Sequence, residues 1–214
     1  MTRRFILAMI LGFSLQAQAE LLFNGGAPDH PNGLRISDIG FFAAADDFET
    51  TDEWSITSAE FWSVEMAGMF EWDGTVSYFI FEDDTSLPAD TPLYSGLGQS
   101  IVKTPDSDVN TGYLGFKYSF NFEAPLELEG NTIYWLALNL GGGGTVDSTQ
   151  AFWAGTYTST LNDAVISGDL QNWSQYHFDL AYRLHGTVVP EPSTTGLIGL
   201  FIGGIYFVRR FFAA

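Results

Sequence analysis

The stretch that decides the fold is Phe116-Lys117-Tyr118-Ser119-Phe120-Asn121-Phe122, in which large apolar side chains alternate with polar ones. The alternation continues in phase through Leu126 and Leu128. Successive side chains of a β-strand point to opposite faces of a sheet. This period of two therefore predicts a half-buried strand with one face in water.

The same period returns near the end of the chain. The residues predicted to face inward are Tyr176, Phe178, Leu180, Tyr182 and Leu184, and those on the opposite face are His177, Asp179, Arg183 and His185. The alternation alone explains the polar face as a solvated surface. A site on that face is the alternative, because residues i and i+2 of a strand lie close together.

Two further segments are apolar on both faces and predict central strands, residues 75–81 and 132–138. Shorter candidates cover residues 34–42, 54–65, 150–153 and 164–166, separated by Gly, Pro, Asp and Asn. Residues 85–92 and the four glycines at 141–144 read as a loop and a turn. No long amphipathic helix is evident, so the sequence predicts one all-β domain, an antiparallel sandwich of jelly-roll-like type.

The first 19 residues differ from the rest and read as a secretory signal peptide. Arg3 and Arg4 precede an apolar stretch from Phe5 to Leu15, and Ala17-Gln18-Ala19 supplies the small-x-small pattern before Glu20. We therefore predict a signal peptide at 1–19, a sandwich domain at 20–188 and a separate tail at 189–214.

The predicted sandwich domain is strongly acidic and contains no cysteine. It carries 25 acidic residues against Arg35, Lys103, Lys117 and Arg183, a net formal charge of −21. Such a field repels nucleic acid, so nucleic acid is excluded as a partner. The lack of cysteine excludes thiol catalysis and disulfides, so stability must come from the core.

The tail has three parts in a fixed order. Pro190-Glu191-Pro192 is predicted to be extended and accessible, because proline fixes φ and lacks a hydrogen-bond donor. A mostly apolar stretch from Gly196 to Val208 follows, and would form a single short hydrophobic helix about 20 Å long. Arg209 and Arg210 come next and would hold the C-terminus on the cytoplasmic side of a membrane.

This tail closely resembles the PEP-CTERM sorting signal, with Pro190, Glu191 and Pro192 as its motif and Arg209 and Arg210 as its basic cluster. The resemblance implies processing by an exosortase, a membrane-embedded enzyme, in a Gram-negative bacterium that makes extracellular polysaccharide. The protein would cross the inner membrane, be anchored transiently by the tail helix, and reach the cell surface or matrix.

The body is similar to sandwich domains that precede this signal, through residues 45–49, 132–136 and 179–186. That likeness implies a fold and no reaction.

Two acidic clusters are candidates for calcium, whose ligands are carboxylate and carbonyl oxygens. They are Asp106 with Asp108 and Asn110, and Asp83 with Asp84. An EF-hand loop is excluded, because Thr111 and Lys117 stand where it needs Gly and Glu. A solvated acidic turn is the alternative at each place, so no cofactor other than Ca²⁺ is considered.

Five tryptophans could stack on sugar rings or fill the core: Trp54, Trp62, Trp72, Trp153 and Trp173. Stacking would make the body a carbohydrate-binding module for extracellular polysaccharide. Paired carboxylates leave a secreted glycosidase as a second alternative. No catalytic motif is present, so we expect a non-enzymatic structural or adhesive protein of the cell surface or biofilm matrix.

Overall fold

The computed structural model describes residues 19–37, 42–65, 72–107, 114–141, 151–158 and 161–189. Within these ranges the chain forms strands and no helix. The strands are β1 (Glu20–Asn24), β2 (Gly33–Arg35), β3 (Ala43–Thr50), β4 (Trp54–Glu65), β5 (Val76–Glu82), β6 (Tyr94–Leu97), β7 (Gln99–Pro105), β8 (Leu114–Leu128), β9 (Thr132–Leu140), β10 (Ala151–Thr156), β11 (Val165–Ser167), β12 (Ser174–Gln175), β13 (Asp179–Leu180) and β14 (Tyr182–Val188).

The strands build two antiparallel sheets that pack as a β-sandwich. The larger sheet has eight strands. At its centre β4 pairs with β14, β8 and β10. The outer strands are β1, which pairs with β14, β7, which pairs with β8, and β2 and β13, which both pair with β10. The smaller sheet has six strands in the order β12-β11-β3-β9-β5-β6. The predicted all-β, antiparallel class is confirmed.

The stretch from Phe116 to Phe122 lies in β8, and its alternation is confirmed. Tyr118, Phe120 and Phe122 are buried in the core between the sheets, and Asn121 is exposed. Phe61 of the neighbouring β4 stacks on Tyr118 with ring centroids 5.0 Å apart. Offset stacking of this kind adds to the stability that buried area provides.

The two segments that are apolar on both faces are central strands, β5 and β9, as predicted. Ile80 and Leu136 point into the main core, whereas Phe81 and Trp135 belong to a second buried cluster on the outer side of the smaller sheet. Leu170 and Trp173 pack against this second cluster, from the chain that follows β11. This cover explains why β5 and β9 need no polar face.

Two strand predictions need correction. In the described residues of the segment predicted at 34–42, which exclude 38–41, the strand is Gly33–Arg35, and the neighbouring eight-residue β3 was not predicted. Its sequence, Ala43-Ala44-Ala45-Asp46-Asp47-Phe48-Glu49-Thr50, is rich in residues that are rare in strands. Tertiary burial overrides this weak propensity, because β3 pairs with β9 and β11 on its two sides.

The strand predicted from Tyr176 to Leu184 is broken. Its strand residues belong to β13 and β14, since β12 ends at Gln175, and two predicted orientations are reversed: Tyr176 is 43% exposed and Asp179 only 5%. The Ala181 amide N–H, at the break, donates to the Ala154 carbonyl 2.9 Å away. Because β12 pairs with β11, β13 with β10, and β14 with β1 and β4, one alternating phase cannot hold from Tyr176 to Leu184.

Candidate functional site

The predicted sorting residues Pro190, Glu191, Pro192, Arg209 and Arg210 lie outside the described residues, but the point where the chain leaves the sandwich is described. β14 ends at Val188, opposite Trp54 of β4. The amide N–H of Val189 donates to the Glu53 carbonyl at 2.8 Å. The tail therefore begins where the last strand of the sandwich ends. In the described part of the chain no helix is long and apolar enough to cross a membrane.

In the body, four aromatic rings follow one another along one end of the sandwich. The ring centroids of Tyr157 and His30 are 4.7 Å apart, His30 stacks on Phe178 at 4.7 Å, and Phe178 meets Tyr176 at 6.2 Å. Tyr157 and Tyr176 are 68% and 43% exposed. We call these four residues the aromatic strip. It ends in two tyrosine rings that are open to solvent.

A surface pocket of about 220 Å³ borders the aromatic strip. It is lined by His30, Tyr157 and Phe178 of the strip together with Thr156, Asp163, His177 and Asp179. His177 Nδ1 lies 3.1 Å from Asp163 Oδ2, and the His177 side chain is almost fully exposed. The pocket therefore combines aromatic rings with hydrogen-bonding groups.

Backbone hydrogen bonds hold the pocket residues in place. The Tyr157 amide N–H donates to Asp29 Oδ1 at 2.9 Å, and the His30 amide N–H donates to the Gly155 carbonyl at 3.2 Å. A Cβ at position 155 would lie 2.9 Å from Phe178 Cδ2 and 2.7 Å from the Asn32 carbonyl oxygen. Glycine at 155 thus lets Phe178 approach the backbone closely.

Behind the pocket, two consecutive aspartates of β3 are fully buried. Asp46 Oδ2 accepts from the Leu180 amide N–H at 2.7 Å, and Asp47 Oδ2 accepts from the Asn162 side-chain amide at 2.7 Å. Burial raises the pKa of Asp46 well above its usual range, and the nearby charges of Asp179 and Asp47 raise it further. Asp179 also lines the pocket, so it lies between the buried Asp46 and Asp47 and the protein surface.

The polar face predicted for the segment 177–185 is divided between two places. His177 and Asp179 lie at the pocket, whereas Arg183 and His185 lie on the larger sheet beside Glu60. Glu60 Oε1 is 3.1 Å from Lys117 Nζ, and its Oε2 is 3.9 Å from both Arg183 Nη1 and His185 Nε2. The break in the strand thus separates residues that simple alternation placed together.

Three of the five candidate tryptophans are core residues. Trp153 is fully buried and its Nε1 donates to the Ala181 carbonyl at 2.8 Å, while Trp54 and Trp62 are each 5% exposed. The Arg183 guanidinium lies over the Trp62 ring, 5.0 Å from its centroid. None of these three offers a free ring face to a sugar.

The other two tryptophans are half-buried. Trp72 packs edge-on against Tyr118 with centroids 5.2 Å apart, and Trp173 packs against Phe81 at 5.6 Å. Among the described residues, none is a hydrogen-bond partner of the buried Trp173 Nε1. Trp72 packs against the main core between the sheets, and Trp173 packs against the second cluster, which contains Phe81 and Trp135.

The candidate calcium ligands that are described already accept hydrogen bonds. Asp106 Oδ2 accepts from Trp62 Nε1 at 2.8 Å, and Asp83 Oδ1 accepts from Trp135 Nε1 at 2.9 Å. Asp84 forms a backbone turn with Leu87, and Asp108 and Asn110 lie outside the described residues. Among the described side chains, no group of three or more His, Asp or Glu is placed to hold a metal ion. Both interpretations of these clusters, a calcium site and a solvated acidic turn, stay predictions.

The pocket was missed at the sequence level because its residues come from four separate parts of the chain. Only weak features of the sequence indicated this pocket. Two of the three histidines stand next to aromatic or acidic residues, and Tyr157 and Tyr176 follow the ends of strands. The buried pair Asp46 and Asp47 gave no signal at all, since adjacent aspartates are ordinarily read as a solvated turn.

Comparison with known families agrees with the tail. The model of the PEP-CTERM protein-sorting motif matches residues 188–210, which contain Pro190, Glu191, Pro192 and both terminal arginines. No curated protein matches the chain. The chain thus carries a PEP-CTERM sorting motif. The motif implies recognition by an exosortase, export through the membrane and a transient C-terminal anchor.

Proposed function

We infer that the protein is an exported cell-surface or matrix component with a non-enzymatic structural or adhesive role, delivered by its C-terminal signal. The observation that carries this proposal is the sorting motif at residues 188–210, which starts at the last residue of β14. Cutting after such a junction would release the sandwich without removing a strand.

The finer parts of the proposal come from the sequence. A signal peptide at 1–19 would direct export, and the apolar stretch from Gly196 to Val208 would form the short helix that anchors the protein in the inner membrane. We extend the fold proposal to a jelly-roll-like connection, which is supported by β3 and β4, and also β8 and β9, lying in opposite sheets although adjacent in sequence.

An adhesive role is supported by the properties of the body. The predicted sandwich domain is strongly acidic. A protein with many like charges stays soluble after release and associates through specific contacts rather than by collapse. A secreted glycosidase remains a second alternative, for which two positioned carboxylates in a cleft would be needed.

The sorting proposal is tested by mass spectrometry of the released protein. The full chain is produced in a host that contains an exosortase, and the released protein should lack residues 1–19 and the apolar stretch from Gly196 onward. Released protein with an intact C-terminus would contradict the proposal.

A variant and a matched control sharpen this test. Glu191→Ala should leave the protein in the membrane fraction, because the recognition motif is altered. Glu129→Ala removes one exposed carboxylate from the sandwich and should be released normally. Equal release of the two variants would show that the exosortase does not recognise Glu191 of the motif.

A further inference from the structure

The aromatic strip and its pocket have the chemistry of a saccharide site. Sugar rings present C–H faces that pack on aromatic rings and hydroxyl groups that need hydrogen-bonding partners. Here Tyr157 and Tyr176 provide exposed rings at the two ends of the strip, and His177, Asp163 and Thr156 provide polar groups beside it. We propose that this end of the sandwich binds a neutral oligosaccharide.

The exposure of the two tyrosines is the first support for this proposal. Large aromatic side chains contribute most to stability when they are buried, yet Tyr157 is 68% exposed in a domain that has no disulfide to compensate. Both tyrosines are also in ring contact with the partly buried members of the strip, His30 and Phe178. The strip is thus one continuous aromatic surface, exposed at both ends and partly buried in the middle.

The second support is that hydrogen bonds hold the His30 ring and the backbone of Phe178 and Tyr176. Asn32 donates its amide N–H to His30 Nδ1 at 3.1 Å, which fixes the ring and leaves Nε2 as the protonated nitrogen. The Ala164 amide N–H donates to the Phe178 carbonyl at 3.1 Å, and the Tyr176 amide N–H donates to the Ala164 carbonyl at 2.8 Å. A surface ordered in advance loses less entropy when it binds a ligand.

Charge selects the kind of saccharide. The body carries a net formal charge of −21, and Asp163 and Asp179 line the pocket itself. A uronic acid would be repelled by this field, whereas a neutral sugar would meet carboxylate oxygens that accept hydrogen bonds from its hydroxyls. The site therefore favours neutral over acidic oligosaccharides.

This inference deepens the proposed adhesive role by naming what the body adheres to, and it does not depend on the sorting signal. If the site fails its test, release of the protein by the exosortase is unaffected. If sorting fails, saccharide binding by the purified chain can still be measured.

The experiment is a glycan array followed by isothermal titration calorimetry with the full chain. The array carries neutral and uronic-acid oligosaccharides of matched length, and the best neutral oligosaccharide is used for the titrations. Tyr157→Ala and Tyr176→Ala should each weaken binding about tenfold, because each removes one stacking ring. Both side chains are exposed, so thermal melts should show that the variants fold.

Two controls separate stacking from other effects. Tyr157→Phe keeps the ring and should bind nearly as tightly as the unchanged protein. Leu97→Ala removes an exposed apolar side chain of β6, outside the aromatic strip and its pocket, and should leave glycan binding unchanged. Absence of neutral-glycan binding on the array, or equal binding by the tyrosine-to-alanine variants, would overturn the proposal. Competition by a simple alkylammonium ion would also overturn it, since it would assign the rings and carboxylates to a cation.

Discussion

At the scale of single residues, the protonation of Asp46 makes the free energy of unfolding depend on pH. It is fully buried, and burial is the main cause that raises its pKa, followed in the same direction by the charges of Asp179 and Asp47. The folded state then keeps a proton that the unfolded state has already released. This contribution to stability is present below about pH 4, the usual range of the unfolded carboxyl, and is lost as pH rises through the folded pKa.

The substitution Asp46→Asn should remove this dependence. Asparagine keeps an oxygen that can accept from the Leu180 amide N–H and carries no charge. The stability of the variant relative to the original protein should rise with pH above about 4, by at most about 1.4 kcal/mol per pH unit. Urea unfolding between pH 4 and 8 measures this difference. A relative stability that stays constant across the range would show that Asp46 does not titrate there.

Trp153 tests whether the buried tryptophans are structural. Its ring lies between Phe61 and Tyr182, at centroid distances of 5.9 and 5.5 Å. Trp153→Ala should therefore cost about 3–5 kcal/mol, because it leaves a large cavity. Chemical denaturation provides the measurement, and Tyr157→Ala is the control, because it removes an aromatic ring that is mostly exposed. Similar losses for both variants would contradict the assignment of Trp153 to the core.

At the scale of elements, the pairing of β4 with β14 depends on a glycine. The register shifts between His185 and Gly186, and a Cβ at position 186 would lie 2.1 Å from the Ser55 carbonyl oxygen. Gly186→Ala should force the two central strands apart and destabilise the protein by about 1–3 kcal/mol. The neighbouring substitution Thr187→Ala should cost less than about 0.5 kcal/mol. If both variants unfold at the same denaturant concentration, the close approach does not constrain the strands.

At the scale of the whole molecule, a bound Ca²⁺ ion would raise the stability of the native state, and a melting curve measures this. The carboxylates of Asp106 and Asp83 already accept hydrogen bonds from tryptophan indoles, so binding a cation would require breaking them. We expect a chelator to leave the melting temperature of the full chain unchanged. A fall in the melting temperature that added Ca²⁺ restores would show a site that stabilises the native state, because a ligand bound only to that state adds to its stability.

The sequence by itself determined the class of the fold and the presence of the sorting motif. Alternation in residues 116–122 indicates a half-buried strand because side-chain direction in a strand is a local property of the backbone. The tail is equally local, since a linear motif of prolines, apolar residues and arginines is read in order along the chain.

Only the tertiary structure decided which faces are covered and which residues meet. The second cluster around Trp135 buries an outer sheet face, and the burial of β3 encloses Asp46. The separation of β12, β13 and β14 leaves Tyr176 exposed and Asp179 buried. The aromatic strip unites residues from three distant segments of the chain, namely 30, 157, and 176 with 178. Such contacts depend on how two sheets pack, and packing between distant segments leaves no periodic trace in the sequence.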